Sequence, residues 1–401
     1  MRSSWVSPCV AEALDTAAER LTRLVREGCP QSRALILTGS AARGEATIAP
    51  RPGSVQWLSD LELLVVIPNS APLRHTTTTL DELARKFRSA MKARKVTIPV
   101  ELTPAPEKYF ERIRPHVFGY ELKHCGRTLY GSSDYLARIP SFHWKDIPKE
   151  DAWRLISNRM LEWLEYMLEG RRRPLPFQFY VLVKIWLDLE TALSLFSGDY
   201  RPTYRERAER LDHVVGWAVS HGCPLPSQSF SDAVRTAVNF KFDPCSGFEW
   251  LWCAGTAELR AELRRQGLAH IYDELQEALL AVWRWAGREI SNGLPEAGGV
   301  APVYGFARRM RGWAKLLICM PARNRPGVIA RMMRLSHLGS PRSLVYACAA
   351  RLLEAAVSGD PDTLAWVRRR LPVPASGGEA WQGLARRCLA VWRLCLRQAD
   401  A

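Results

Sequence analysis

Asp60 and Glu62 stand two residues apart at the head of an apolar run, Ser59-Asp60-Leu61-Glu62-Leu63-Leu64-Val65-Val66-Ile67. Side chains alternate across a strand, so both acids project from one face while Leu61 and Leu63 point the other way into a core. Two carboxylates on one rigid edge supply the hard oxygen ligands that Mg²⁺ takes. Upstream lies Leu35-Ile36-Leu37-Thr38-Gly39-Ser40-Ala41-Ala42-Arg43-Gly44-Glu45. An apolar run ending in Gly-Ser places a small turn at the end of a buried strand, where backbone N–H groups and the Ser40 hydroxyl can approach phosphate oxygens closely.

This order of features resembles the DNA polymerase β-type nucleotidyltransferase superfamily. Its signature is an apolar residue, Gly-Ser, a spacer, then Asp-x-Asp/Glu on a strand, with a third carboxylate on a neighbouring strand. The resemblance gives that third place to Glu101, in the β-rich segment Val96-Thr97-Ile98-Pro99-Val100-Glu101-Leu102-Thr103. Pro99 predicts an edge strand or a bulge there, because proline cannot donate to the ladder. The stretch from Tyr120 to Gly131 resembles the strand and turn that close many such domains, so the likeness covers residues 10–140, about a third of the chain. Two departures stand out. Nineteen residues, 41–59, separate Ser40 from Asp60, and the excess over the usual spacer is rich in Pro, Gly and Arg (Pro50-Arg51-Pro52-Gly53), which reads as a loop insertion at the mouth of the site. The second acid is Glu62 where many members have Asp.

The resemblance implies transfer of a nucleoside monophosphate, AMP from ATP, to an acceptor hydroxyl with release of pyrophosphate. Two Mg²⁺ ions about 3.5–4 Å apart clamp the attacking and leaving oxygens in such a reaction. Asp60 and Glu62 would bind both ions; Glu101 would hold the metal that acidifies the acceptor hydroxyl and accept its proton. Gly39 and Ser40 would cradle the β- and γ-phosphates. Arg43 would face the triphosphate, since a guanidinium fork suits phosphate geometry.

The elements that must position these groups follow from periodicity. Residues 10–28 have helical spacing and stop at Gly28, a fitting C-cap before the first strand. Residues 79–95 read as a basic amphipathic helix between the acid pair and Glu101. With a closing hairpin these make a mixed-sheet nucleotidyltransferase domain over residues 1–147, and Pro140 and Pro148 mark its end. Beyond, the pattern turns helical. Residues 152–170 form one helix, and 177–196 form another that is apolar nearly all round except at Lys184, Asp188 and Glu190, as expected in the middle of a bundle. Lys184 and Asp188 are spaced to pair on one face. The run from Lys184 to Arg207 resembles the helical substrate domain of aminoglycoside-type nucleotidyltransferases, which implies that Lys184 and Tyr204 line the acceptor cleft. A linker is expected at 296–302, followed by basic helices over 304–319, 326–338, 343–358, 362–371 and 378–398. The expected class is therefore α+β: a mixed-sheet catalytic domain, an all-α helical bundle for substrate over 148–295, and a basic helical region over 296–401.

Composition sets the limits. The chain has 401 residues, 47% hydrophobic and 24% charged, an ordinary globular balance with room for two or three domains. No apolar run approaches the roughly 18 residues that span a membrane, and Met1-Arg2-Ser3-Ser4-Trp5 carries no apolar signal core, so a cytoplasmic protein is expected. Ten scattered cysteines contain no Cys-x-x-Cys, and Cys319, Cys348, Cys388 and Cys395 fall in apolar helical stretches as small core residues. The net charge is +15, and residues 297–401 hold seventeen Arg and Lys against five Asp and Glu. Such a field attracts nucleotides, acidic small molecules, RNA or an anionic surface. The leading expectation is a Mg²⁺-dependent transferase acting on a small hydroxyl-bearing acceptor. Its alternatives are transfer to RNA or a protein hydroxyl, and a catalytically silent nucleotide-binding or antitoxin-like protein.

Overall fold

The computed structural model describes residues 8–51, 54–253, 258–291, 305–376 and 378–396. The expected linker at 296–302 and the dipeptide Pro52-Gly53 lie outside them. The chain is α+β and divides into two compact units, neither continuous in sequence. The first gathers Met1–Pro148, Ser194–Val214 and Ser231–Gly255, and the second Lys149–Leu193, Val215–Phe230 and Thr256–Ala401. The expected edge near 148 coincides with a unit boundary, but two later segments return to the first unit. The helices expected as separate regions 148–295 and 296–401 otherwise share the second.

In the first unit the strands are β1 (Ala34–Leu37), β2 (Ile48–Arg51), β3 (Ser54–Trp57), β4 (Leu61–Ile67), β5 (Val96–Thr97), β6 (Val100–Pro106) and β7 (Arg127–Gly131). The main sheet has the order β6-β4-β1-β7, with β4 and β6 parallel and the other neighbours antiparallel. Strand alternation divides its apolar residues between two layers. Leu35, Leu37, Leu61, Leu63, Val65 and Ile67 pack with Leu21 and Val25 of helix Pro8–Gly28 and Leu80, Leu83 and Phe87 of helix Leu73–Lys92. Ala34, Ile36, Leu64 and Val66 pack on the other face with Phe110, Ile113, Leu122 and Tyr135. A central strand buried on both faces reads as a near-continuous apolar run, and β4 breaks that run only at Glu62.

Four local expectations change. The 41–59 insertion is not an open loop: β2 and β3 pair antiparallel, Ile48 opposite Trp57, in a second sheet of order β2-β3-β5. The 96–103 segment is two strands in two sheets, parted at Ile98-Pro99, and β6 is the edge strand that proline foretold. The 120–131 stretch is not strand and turn. Its first half completes helix Val117–Cys125, and only β7 joins the sheet, beside β1, so there is no closing hairpin. The basic amphipathic helix starts at Leu73 rather than 79, and in its first turns Thr76, Thr77, Thr78 and Thr79 each return a hydroxyl hydrogen bond to the carbonyl four residues back. That bonding satisfies the hydroxyls within the helix, while Thr76, Leu80, Leu83, Phe87 and Met91 bury its inner face.

In the second unit, helix Pro341–Ser358 packs against Trp381–Leu396, Pro361–Arg370 and Lys149–Glu169. Asn158 links three of these helices, its Oδ1 accepting from Tyr346 Oη at 2.9 Å and Trp392 Nε1 at 3.2 Å. Trp153 stacks on Trp283 with ring centroids 5.8 Å apart and meets Tyr346 edge-on. Among the described residues no helix is long and apolar enough to cross a membrane.

Cys348, Cys388 and Cys395 are buried, but Cys319 is exposed, on the outer side of helix Phe306–Cys319. Burial pushes the Cys125 thiol up to about 11 and Cys223 up to about 12. At pH 8 about one Cys125 in a thousand is therefore thiolate, the form that alkylates. Iodoacetamide at pH 8, followed by peptide mass spectrometry, is expected to label Cys253 and Cys319 and to spare Cys125 and Cys223 until the protein is denatured. Equal labelling of all four in the folded protein would contradict this packing.

Candidate active site

The parallel register of β4 and β6 pairs Glu62 with Glu101, between the apolar pairs Leu61–Val100 and Leu63–Leu102. Register partners on adjacent strands face the same side, so these two acids are neighbours on one face of the sheet. Asp60 lies just before β4 and is exposed; Leu61 N–H, next to it, donates to Pro99 O at 2.8 Å, fixing where the two strands begin to run together.

The Gly-Ser turn is fastened to the same acid. Thr38 N–H donates to Glu62 O at 2.9 Å and its hydroxyl to the same oxygen at 3.3 Å. Gly39 has φ +62°, the left-handed region that favours glycine, and opens the short helix Gly39–Ala42. A Cβ built on Gly39 would lie 2.1 Å from Glu62 Oε2. The Glu62 carboxylate thus fills the space that the missing side chain leaves, which brings the turn and the acid strand into one site. Ser40 is half-buried beside it.

The donor set suits Mg²⁺: Glu62 and Glu101 are hard oxygen ligands on adjacent strands and Asp60 immediately precedes β4, with Asp60 and Glu101 both exposed. Among the described residues no three His, Cys, Asp or Glu side chains are already gathered at metal-binding distance.

Arg43 is already engaged by protein groups. Its side chain is 6% exposed and its guanidinium donates to Glu45 Oε2 at 2.9 Å and to Glu121 Oε2, over the ring of Tyr204 at 5.2 Å. Burial alone would depress its pKa. Glu121, Tyr204 and Glu45 outweigh that and hold it well above its ordinary value. The charge expected to meet a triphosphate is already compensated by protein, and Arg43 braces the helical turn that starts at Gly39.

Around it the first unit builds a buried polar network. Tyr200 Oη donates to Glu121 Oε1 at 2.7 Å, and burial followed by Glu121 raises the phenol's pKa. Arg207, 1% exposed, lies 3.6 Å from Glu121 Oε1, donates to Arg201 O, and places its guanidinium 4.4 Å from the Tyr204 ring centroid. Lys241, 3% exposed, donates to Ser59 Oγ at 3.1 Å, which sets a buried cation one residue from Asp60. Thr47 ties the hairpin to both: its N–H donates to Ser59 Oγ and its hydroxyl to Lys241 O. Sequence reading does not find Glu121, Tyr200, Arg207 or Lys241, because nothing in their local spacing signals partners 79 to 182 residues away.

Tyr204 belongs to this network. Lys184 is in the second unit, where its Nζ lies 3.9 Å from Glu162, and Asp188, its expected partner, accepts a hydrogen bond from Arg159. The described geometry thus gathers Gly39, Ser40, Arg43, Glu62, Glu101 and Tyr204 in one unit with Asp60, and leaves Lys184 in the other.

Compared with protein families, characterised proteins and solved structures, this chain matches none of them.

Proposed function

We propose that the first unit is a Mg²⁺-dependent nucleotidyltransferase that moves a nucleoside monophosphate, AMP from ATP, to a hydroxyl of a small-molecule acceptor and releases pyrophosphate. The observation that carries this reading is the pairing of Glu62 with Glu101 on parallel strands while Gly39 yields its side-chain space to the Glu62 carboxylate. A phosphate-binding turn and a carboxylate pair are useful together only where phosphate and cation meet.

Asp60, Glu62 and Glu101 would hold the metal, which supplies charge neutralisation at the phosphates and acidifies the acceptor hydroxyl. The chain's own residues do the rest. Ser40 Oγ and the turn's N–H groups orient the phosphates of the donor, as oriented backbone amides do in anion-binding turns. Glu101, exposed at the sheet edge, is the group that can take the acceptor's proton. Arg43, held by Glu45 and Glu121, keeps the turn in place against Glu62, so that the reacting atoms are presented in line.

The test is to incubate purified protein with Mg²⁺ and each of four labelled nucleoside triphosphates, alone and with small-molecule or RNA pools, and to follow pyrophosphate release. Asp60→Ala is expected to reduce release to the no-enzyme level while changing stability by less than about 0.5 kcal/mol, as suits an exposed side chain. Release insensitive to this substitution would sink the proposal; nucleotide binding without release under any condition would favour a silent nucleotide-binding protein. The cation excess in residues 297–401 favours a second reading, in which the acceptor is an RNA hydroxyl. Stimulation by the RNA pool, falling steeply with salt, would select it.

A further inference from the structure

A surface cavity of about 350 Å³ lies in the second unit, between the chain leading into helix Arg325–Leu335 and helix Trp381–Leu396. Met320, Val373 and Leu394 give it apolar walls, and Arg323, Asn324 and Arg387 add polar groups. Concave apolar walls with a few convergent polar groups are the usual composition of small-ligand sites, and the volume is at the lower end of their range.

The charged side chains that line the cavity are both arginines, Arg323 and Arg387. Among the described residues no Asp or Glu lines the cavity. Residues 305–353 contain ten Arg and Lys and no acid at all. Arg387 spends its Nε on Glu379, at 2.7 and 2.8 Å from the two carboxylate oxygens. Arg323, in the helical turn Ala322–Asn324, has no carboxylate partner among the described residues. Gly327, in the first turn of helix Arg325–Leu335, also lines the cavity, so the positive end of that helix borders it. The wall is fixed there: a Cβ on Gly327 would lie 2.6 Å from Pro374 Cγ.

We propose that this cavity binds a small organic anion, a carboxylate or phosphate carried on an apolar body, with Arg323 pairing the anion and the Met320–Val373–Leu394 wall taking the body. The site is formed wholly within the second unit and does not depend on the transferase reading.

Calorimetric titration of the full chain with naphthalene-2-carboxylate, naphthalene-2-carboxamide and inorganic phosphate tests it. The carboxylate is expected to bind at least tenfold more tightly than the neutral amide of the same shape, and phosphate alone at least tenfold more weakly than the carboxylate. Arg323→Gln is expected to weaken the carboxylate about tenfold and leave the amide unchanged. Ala390→Trp, which fills the cavity from helix Trp381–Leu396, is expected to abolish binding of both. Equal affinity for acid and amide, phosphate binding as tight as the carboxylate, no binding at all, or indifference to Arg323→Gln would each overturn the proposal. Should circular dichroism show Ala390→Trp unfolded, the ligand comparison on the native chain and Arg323→Gln decide the matter unaided.

Discussion

Gly39→Ala is expected to lower pyrophosphate release by at least about 100-fold, whereas Gly44→Ala leaves it within about twofold. Both glycines have positive φ, +62° and +74°, so both substitutions place an L side chain in the left-handed region. The backbone strain is similar, about 1–2 kcal/mol in each case. What differs is the space. A Cβ at position 44 meets nothing within 4 Å, while one at position 39 lies 2.1 Å from Glu62 Oε2 and 3.0 Å from its Cδ. Relief requires the carboxylate to move by about an ångström, and misplacement of that size costs on the order of a hundredfold in rate. Denaturant melts of the two variants should therefore look alike and their activities should not. Equal activity would mean that the Glu62 carboxylate has no part in turnover where it now stands.

Glu121→Leu is expected to destabilise the first unit by about 3–5 kcal/mol, out of the 5–15 kcal/mol typical of a whole domain. Glu121 accepts from Arg43 and Tyr200 and lies 3.6 Å from Arg207, and both guanidiniums are almost fully buried. Removing the shared carboxylate takes from Arg43 one of its two carboxylate partners and from Arg207 the carboxylate 3.6 Å away. Taking one partner from a buried charge network is far worse than taking both. The double variant Glu121→Leu with Arg43→Met should consequently recover part of the loss, a coupling that a double-mutant cycle by urea unfolding would measure. A single-variant loss under about 1 kcal/mol, or strict additivity, would show that water and neighbouring groups already compensate these charges.

Much of the first unit is legible in the sequence because its signals are local. Leu61 and Leu63 alternate with Asp60 and Glu62, Pro99 announces an edge strand, and Gly-Ser after an apolar run marks a turn; each can be read within about ten residues. The hairpin of β2 and β3 is harder to see, since Pro50 in an edge strand looks like the proline of a loop. The helix Val117–Cys125 was obscured by Tyr120 and Leu122, whose types suit a strand equally well. Arg43 is the instructive case. Its residue type and position beside a Gly-Ser turn suggest a phosphate ligand, and only distant residues, Glu121 and Tyr204, reveal that its charge is already engaged. Lys241 is invisible for the same reason, because the hydrogen bond to Ser59 spans 182 residues. Spacing identifies candidates for chemistry, but long-range packing decides which of them are available for it.

The order in which the chain is made adds a consequence. The first unit draws on Ser194–Val214 and Ser231–Gly255 as well as Met1–Pro148, and Tyr200, Arg207 and Lys241 seat its buried charges. At a synthesis rate of about 5–20 residues per second, the ribosome takes roughly 5–20 s to add the stretch from Pro148 to Gly255. For that interval the sheet carrying Asp60 and Glu62 has emerged with Arg43 and Glu121 lacking their later partners. A fragment ending at Pro148 would remain in that condition, so recombinant fragments meant to hold the first unit should extend at least to Gly255.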